Sequence, residues 1–295
     1  MGNGSAMGGR LGAAPAGAPR GSAGHVALAA LKAQLSAAAF AIMLLILIVF
    51  SHLIWDPSWA LARYDALLIA AIAIQAFLLA AGWETWDEAK AIILFHIVGT
   101  VMEIFKTWAG AWVYPEPSVM RIEGVPLFTG FMYSAVGSYI ARSWRLLDAR
   151  FEHYPNFAAT ALLATLIYFN FYTHHYVWDW RYALMAATVI LFWRTVMIVS
   201  LEGRSLRLPL WPLFIAVGVL IWVAENIATW ANVWLYPVQE DGWRLVPLAK
   251  IGSWSLLMIV SFVLVSAIHR PDRRLGRRWR GDLARDAAPG PERRR

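Results

Sequence analysis

Cysteine is absent from all 295 residues, so no disulfide framework, thiolate metal site or cysteine nucleophile is open to this chain. Charge is also scarce, with Asp, Glu, Lys and Arg making up 15% of the sequence, well below what a soluble domain of this size carries. A P-loop, a dinucleotide-binding glycine turn, an Asp-rich diphosphate motif and a His-Glu-x-x-His pair are all missing. Nucleotide-driven transport and prenyl-diphosphate chemistry are therefore disfavoured. Neither a metal nor a cofactor is expected.

In their place stand apolar residues, 59% of the chain, and 17 tryptophans, giving a mean hydropathy of +0.52. The fold class this implies is an all-α polytopic membrane protein. Eight apolar stretches approach the ~20 residues that cross a hydrocarbon core. They lie at 36–54, 65–83, 90–110, 125–146, 157–174, 181–200, 209–231 and 247–268. A Gly/Ala/Pro-rich leader within 1–35 is expected to remain disordered. Its apolar run starts too late for a signal peptide. The formal charge of +7 comes mostly from the Arg-rich tail, 271–295. A membrane-adjacent basic tail fits an anionic cytoplasmic leaflet better than nucleic acid, so the expected partners are membrane lipid and a hydrophobic small molecule.

Lys and Arg set the orientation. With a cytoplasmic N-terminus, the inner side receives Arg142, Arg145, Arg150, Arg204, Arg207 and the tail, while each outer loop receives one basic residue. The expected location is a bacterial inner membrane with both termini cytoplasmic.

One sentence occurs twice: Val-x-Glu-x-x-x-Thr-Trp-Ala-x-x-Trp-x-Tyr-Pro runs from Val101 to Pro115 and again from Val223 to Pro237, 122 residues apart. Phe50-Ser51-His52 is echoed by Tyr172-Thr173-His174, and Val125-Pro126-Leu127 by Val246-Pro247-Leu248. The eight spans therefore read as two parallel four-helix repeats, 36–152 and 153–270, related by an axis along the membrane normal.

The runs Gly82-Trp83-Glu84-Thr85, Glu103-Ile104-Phe105-Lys106, Gly130-Phe131-Met132-Tyr133, Phe171-Tyr172-Thr173-His174-His175 and Ala224-Glu225-Asn226 resemble the bacterial domain of unknown function 817 family over roughly 36–268. That resemblance implies no activity. A fainter similarity, carried by Glu103, Gly110, Trp112, Tyr114 and Val125-Pro126-Leu127, is to membrane carotenoid hydratases and lycopene cyclases. It implies acid–base chemistry on an isoprenoid.

An ionisable group inside a span is a functional-site hypothesis, which singles out Glu103 and Glu225. His96, Gly99, Glu103, Lys106 and Gly110 recur at helical spacing, so Lys106 is expected to pair with Glu103 and the two glycines to admit a neighbouring helix. In the second copy the lysine becomes Ala228, leaving Asn226, Lys250 or Lys106 as candidate partners of Glu225. His52, His174 and His175 fall at outer helix ends, and Trp112, Tyr114, Trp234 and Tyr236 form either an interfacial belt or the mouth of a site. The acidic turn Glu84, Asp87, Glu88 reads as a solvated helix start. The candidate catalytic set is Glu103, Glu225, Lys106 and His96. Three functions compete: an acid–base enzyme on an isoprenoid or other lipid, a proton-coupled carrier, and a structural membrane protein. The first is favoured.

Overall fold

The computed structural model describes residues 22–269. The leader through residue 21 and the basic tail lie outside the described residues. The helices run α1 (Ala23–Ala37), α2 (Ala39–Ile54), α3 (Arg63–Ala80), α4 (Trp86–Trp108), α5 (Thr129–Leu146), α6 (Phe157–Thr173), α7 (Arg181–Phe192), α8 (Leu210–Trp230) and α9 (Lys250–His269). Between them lie β1 (Arg121–Ile122) and β2 (Val125–Pro126), which pair as a small hairpin, and a sheet of β3 (Arg150–Glu152), β4 (Val196–Leu201) and β5 (Arg204–Pro209) in the order β3-β4-β5. Four helices, α3, α4, α8 and α9, are long and apolar enough to cross a membrane. A fifth span arises if α1 and α2, bent by 62° at their junction, count as one. Four or five such helices make this a multi-pass membrane protein.

Five sequence expectations fail here. The stretch 181–200 is not one span: α7 ends at Phe192, and Val196–Leu201 is a strand paired with β5. Twelve helical residues reach only about 18 Å, short of a ~30 Å core. The β-branched run in Val196-Met197-Ile198-Val199 packs as a sheet face instead, closed by a Glu202-Gly203 turn in which both residues have positive φ. Nor is the leader unstructured throughout, since α1 occupies 23–37, capped by Ser22, whose hydroxyl accepts from the His25 N–H.

The acidic turn before α4 is not solvated either. Thr85 and Glu88 form a reciprocal capping box, and Glu88 is buried against Arg145 at 2.8 Å. Glu84, equally buried, accepts from Ser138 Oγ at 2.5 Å and from Gln75. Arg142, expected in an inner loop, is buried within α5. Its guanidinium donates to the Ser36 carbonyl at 2.6 Å and to that of Trp83. The carbonyl it occupies would otherwise serve the helix ladder, which gives the α1–α2 bend a physical cause.

Gly99 fixes the spacing of α4 and α5. A Cβ there would sit 2.5 Å from the Tyr133 ring, so only glycine lets the two helices close to this distance. Gly110 has a different job from the one expected: nothing lies within 4 Å of its Cβ position, and its φ of +69° caps α4. Its N–H reaches the Thr107 carbonyl at 3.1 Å, while Ala111 reaches that of Lys106 at 2.9 Å. Asn232 caps α8 identically, with φ +54°, its N–H to Thr229 at 3.1 Å and Val233 to Ala228 at 3.0 Å. Asparagine tolerates the left-handed region better than other non-glycine residues, so this exchange keeps the geometry.

We expect Gly99→Ala to cost about 1–3 kcal/mol through overpacking, because the Tyr133 ring and its Cβ both block the new methyl. Thermal unfolding in detergent checks this, and an unchanged Tm would show that α4 and α5 separate freely.

Candidate functional site

Pro115 and Pro237 follow the aromatic segments that leave α4 and α8, and these segments fold back over the carboxylates of the helices they end. Glu103 is buried and accepts three hydrogen bonds: from Trp112 Nε1 at 2.7 Å, from the Tyr114 hydroxyl, and from the Tyr133 hydroxyl at 2.6 Å. Glu225, also buried, accepts from the Tyr236 hydroxyl and from Trp254 Nε1 at 2.6 Å. Every one of these donors is neutral. Burial, followed by the nearby glutamate charge, raises the Tyr114 and Tyr236 phenols well above their ordinary value, so both remain protonated donors.

Between the two segments, Val113 and Leu235 exchange backbone hydrogen bonds, N–H to O at 3.0 Å and 2.9 Å. These residues hold the same place in the two copies of the motif. Arg63, buried at the start of α3, joins the two segments, donating to the Ala231 carbonyl of the second at 2.9 Å and pairing with Glu116, just past the first, at 2.8 Å. The Tyr64 hydroxyl adds a bond to the Val233 carbonyl at 2.9 Å.

Both carboxylates line one cavity of about 230 Å³. Its walls come from α2 (Leu44, Ile48), α5 (Val136) and α8 (Val217, Ile221), and its polar end from Glu103 and Glu225 with Trp112, Tyr133, Trp234, Tyr236 and Trp254. From Val217 to Ala228 it follows twelve residues of α8, about 16 Å. Beyond Trp112, Tyr133, Tyr236, Trp254 and Leu257 lies a second, smaller cavity of about 70 Å³, which Lys106, Arg181 and Lys250 line.

The expected Glu103–Lys106 pair does not form. Lys106 Nζ lies 3.1 Å from His175 Nε2 and over the Phe171 ring. Trp112, Tyr114 and Tyr133 occupy the Glu103 oxygens instead. Lys250 does not pair with Glu225 either; its ammonium sits 4.2 Å from the Tyr236 ring centre. Asn226 faces away from the carboxylate, donating to the Trp222 carbonyl and accepting from the Val246 N–H at 2.9 Å, which fastens the loop before α9.

His96 is not brought to the site. Its ring lies 4.7 Å from that of Phe131, close under Gly130, and its Nδ1 has no hydrogen-bond partner among the described residues. His52 packs edge-on against Trp230, 5.0 Å between ring centres. His174 and His175 stack at 4.1 Å, and of the two His174 lines the smaller cavity. No group of three or more metal-ligating side chains occurs among the described residues. Sequence reasoning missed Tyr133, Trp254 and Arg181. The first two were findable, since Val125 and Val246 align at an offset of 121 and the same offset places Tyr133 on Trp254.

These features define a multi-pass helical membrane protein with a carboxylate-bearing cavity inside its bundle. The family model described as "Protein of unknown function (DUF817)" matches residues 28–262, and the chain belongs to that family. It is 46% identical over 208 residues to "Uncharacterized protein YoaT" of Bacillus subtilis (strain 168), covering 70% of this chain and 79% of that one. Among solved structures, a mycobacterial Insig homolog, MvINS from Mycobacterium vanbaalenii, aligns with 15% identity and a TM-score of 0.43 over 62% of this chain and 93% of its own. A cross-linked trimer of MvINS gives 14% identity and 0.44, over 63% and 95%.

Removing one hydroxyl donor leaves a buried carboxylate oxygen short of a partner. Tyr114→Phe and Tyr236→Phe are each expected to cost about 1–3 kcal/mol. Tyr182→Phe, at a side chain 75% exposed, is expected to be near neutral. Tm measured in one detergent compares all three, and equal values would show that these hydroxyls do not hold the carboxylates.

Proposed function

We propose that this protein is an acid–base enzyme that takes the hydrocarbon chain of an isoprenoid or similar lipid into the larger cavity and moves a proton between Glu103 and Glu225 by way of the substrate. The observation that carries this reading is that both carboxyl groups open onto one apolar cavity while only neutral hydroxyl and indole groups hold them. An ion pair would consume a carboxylate; these donors orient it and leave its proton exchangeable.

The chemistry needs no cofactor. One carboxylic acid gives its proton to a substrate carbon–carbon double bond, becoming a carboxylate and leaving a carbocation. The second carboxylate then removes a proton from a neighbouring carbon, the C–H electron pair forms the new double bond, and the net change is an isomerised or cyclised chain. Trp112, Tyr133, Trp234, Tyr236 and Trp254 line the polar end, where their ring faces stabilise a cation.

The same reading takes the bundle as two related halves, 36–152 and 153–270, with both termini on the inner face of a bacterial inner membrane. Three observations favour it: the reciprocal Val113–Leu235 bonds, the matching caps at Gly110 and Asn232, and the aromatic donors that each carboxylate receives from its own segment and from the next helix.

A proton-coupled carrier is the second reading, favoured by the broken α1–α2 pair, because Ala38 at the break lines the larger cavity. Lipid extracts of a deletion strain complemented with wild type or Glu225→Gln separate the two. We expect an isoprenoid to accumulate in the deletion strain and Glu225→Gln to fail to restore the lipid profile, with protein level and Tm near wild type. An unchanged lipidome with altered proton-linked solute uptake would replace the enzyme by the carrier.

A further inference from the structure

The smaller cavity gathers three cations from three helices: Lys106 from the last turn of α4, Arg181 as the first residue of α7 and Lys250 as the first residue of α9. Among the described residues no Asp or Glu lies within 4 Å of either lysine. Lys106, although buried, has only His175 at 3.1 Å and the Phe171 face. Lys250 has the faces of Tyr236 and Trp112, at 4.2 Å and 5.7 Å. Arg181 alone has a carboxylate, that of Asp179 at 3.0 Å, which also accepts from Asn170 Nδ2 at 3.1 Å.

Folding alone gives no reason for this arrangement. Two of the cations begin helices, where the macrodipole is already positive and an acid would be the stabilising choice. Cations buried in a membrane bundle are costly unless something answers them. The carboxylates that would serve, Glu103 and Glu225, stand on the far side of the aromatic wall with their oxygens already taken.

We propose that this cavity is a binding site for a phosphate-class oxyanion, held by Lys106, Lys250 and Arg181, with the His174 ring on its wall. A planar guanidinium fork together with two ammonium groups is the donor set that recognises tetrahedral oxyanions. A volume of about 70 Å³ admits one such group. All three cations sit at the end of the bundle that carries the Trp112 and Tyr236 segments, where a membrane–water interface brings either free phosphate or the phosphate of a lipid headgroup. The anion site stands on its own cations. Its union with a hydrocarbon chain, through the wall the two cavities share, rests on the lipid reading above.

Thermal unfolding at low ionic strength tests the site in two arms. Detergent-solubilised protein is titrated with inorganic phosphate, and protein in nanodiscs of phosphatidylcholine is compared with protein in nanodiscs containing phosphatidic acid. We expect Tm to rise in at least one arm: a response to inorganic phosphate assigns a free anion, and a response to phosphatidic acid alone assigns a headgroup. Lys250→Gln is expected to weaken the response at least about tenfold, Lys250→Arg to retain it, and the ligand-free Tm of Lys250→Gln to equal or exceed wild type as repulsion is relieved. No response in either arm, or one that survives in Lys250→Gln, would overturn the site. Glu225→Gln should keep the phosphate response while losing lipid conversion, so failure of the enzyme reading and failure of this one are separable.

Discussion

The constraint behind this architecture is the hydration that Glu103 and Glu225 lose when they fold into an apolar bundle. A buried carboxylate without partners is among the least tolerable groups in a membrane interior, and a salt bridge answers it only by desolvating a second charge. This protein uses hydroxyl and indole donors instead, and they come from fixed places. The segment that ends each carboxylate's own helix supplies a tyrosine, and the next helix supplies one more donor, Tyr133 or Trp254. Each donor fixes a piece of the fold. Tyr133 reaches Glu103 because Gly99 lets α5 lie against α4, and Tyr114 and Tyr236 reach back because Gly110 and Asn232 turn the chain through the left-handed region.

The two segments also support each other. The reciprocal Val113–Leu235 bonds make each lid the other's strand partner, while Arg63 and Tyr64 bind carbonyls around Ala231, Asn232 and Val233. The two segments are therefore joined by backbone hydrogen bonds as well as by side-chain packing. The carboxylates, 122 residues apart in sequence, become neighbours on one cavity through this contact.

Much of the fold was legible in the sequence. Apolar length and Pro or Gly punctuation are local signals, so the helical character of the expected stretches was readable, although among the described residues only four helices, or five spans with the bent α1–α2 pair, are long and apolar enough to cross a membrane. The duplicated motif located both carboxylates. Hidden were features decided by tertiary partners. The sheet formed from 150–152 and 196–209 is invisible where an apolar β-branched run looks like the second half of a span. Arg142 reads as a loop cation until its guanidinium is seen on the Ser36 and Trp83 carbonyls. Glu103 and Lys106 have the spacing of a helical pair, yet spacing says only that two side chains are able to meet. The Tyr and Trp donors, arriving from other elements, decided that they do not. His96 shares the helix of Glu103, but Phe131 and Gly130 claim its ring.

The partition of charge follows from the same donors. Aromatic rings form a layer with carboxylates on one side and lysines on the other, so opposite charges that would neutralise each other at contact act across a low-dielectric wall. Tyr236 makes the division concrete, donating its hydroxyl to Glu225 while its ring face receives the Lys250 ammonium at 4.2 Å. One side chain thus serves both groups without letting them meet, its hydroxyl on the carboxylate that lines the larger cavity and its ring face on the ammonium that lines the smaller. Tyrosine meets both needs at once, through its hydroxyl donor and its electron-rich face. Phenylalanine at this position would keep the wall but lose the orientation of the acid. A non-aromatic hydroxyl residue would lack the ring face that separates acid from base, and Glu225 and Lys250 would then be free to close into the salt bridge that this fold avoids.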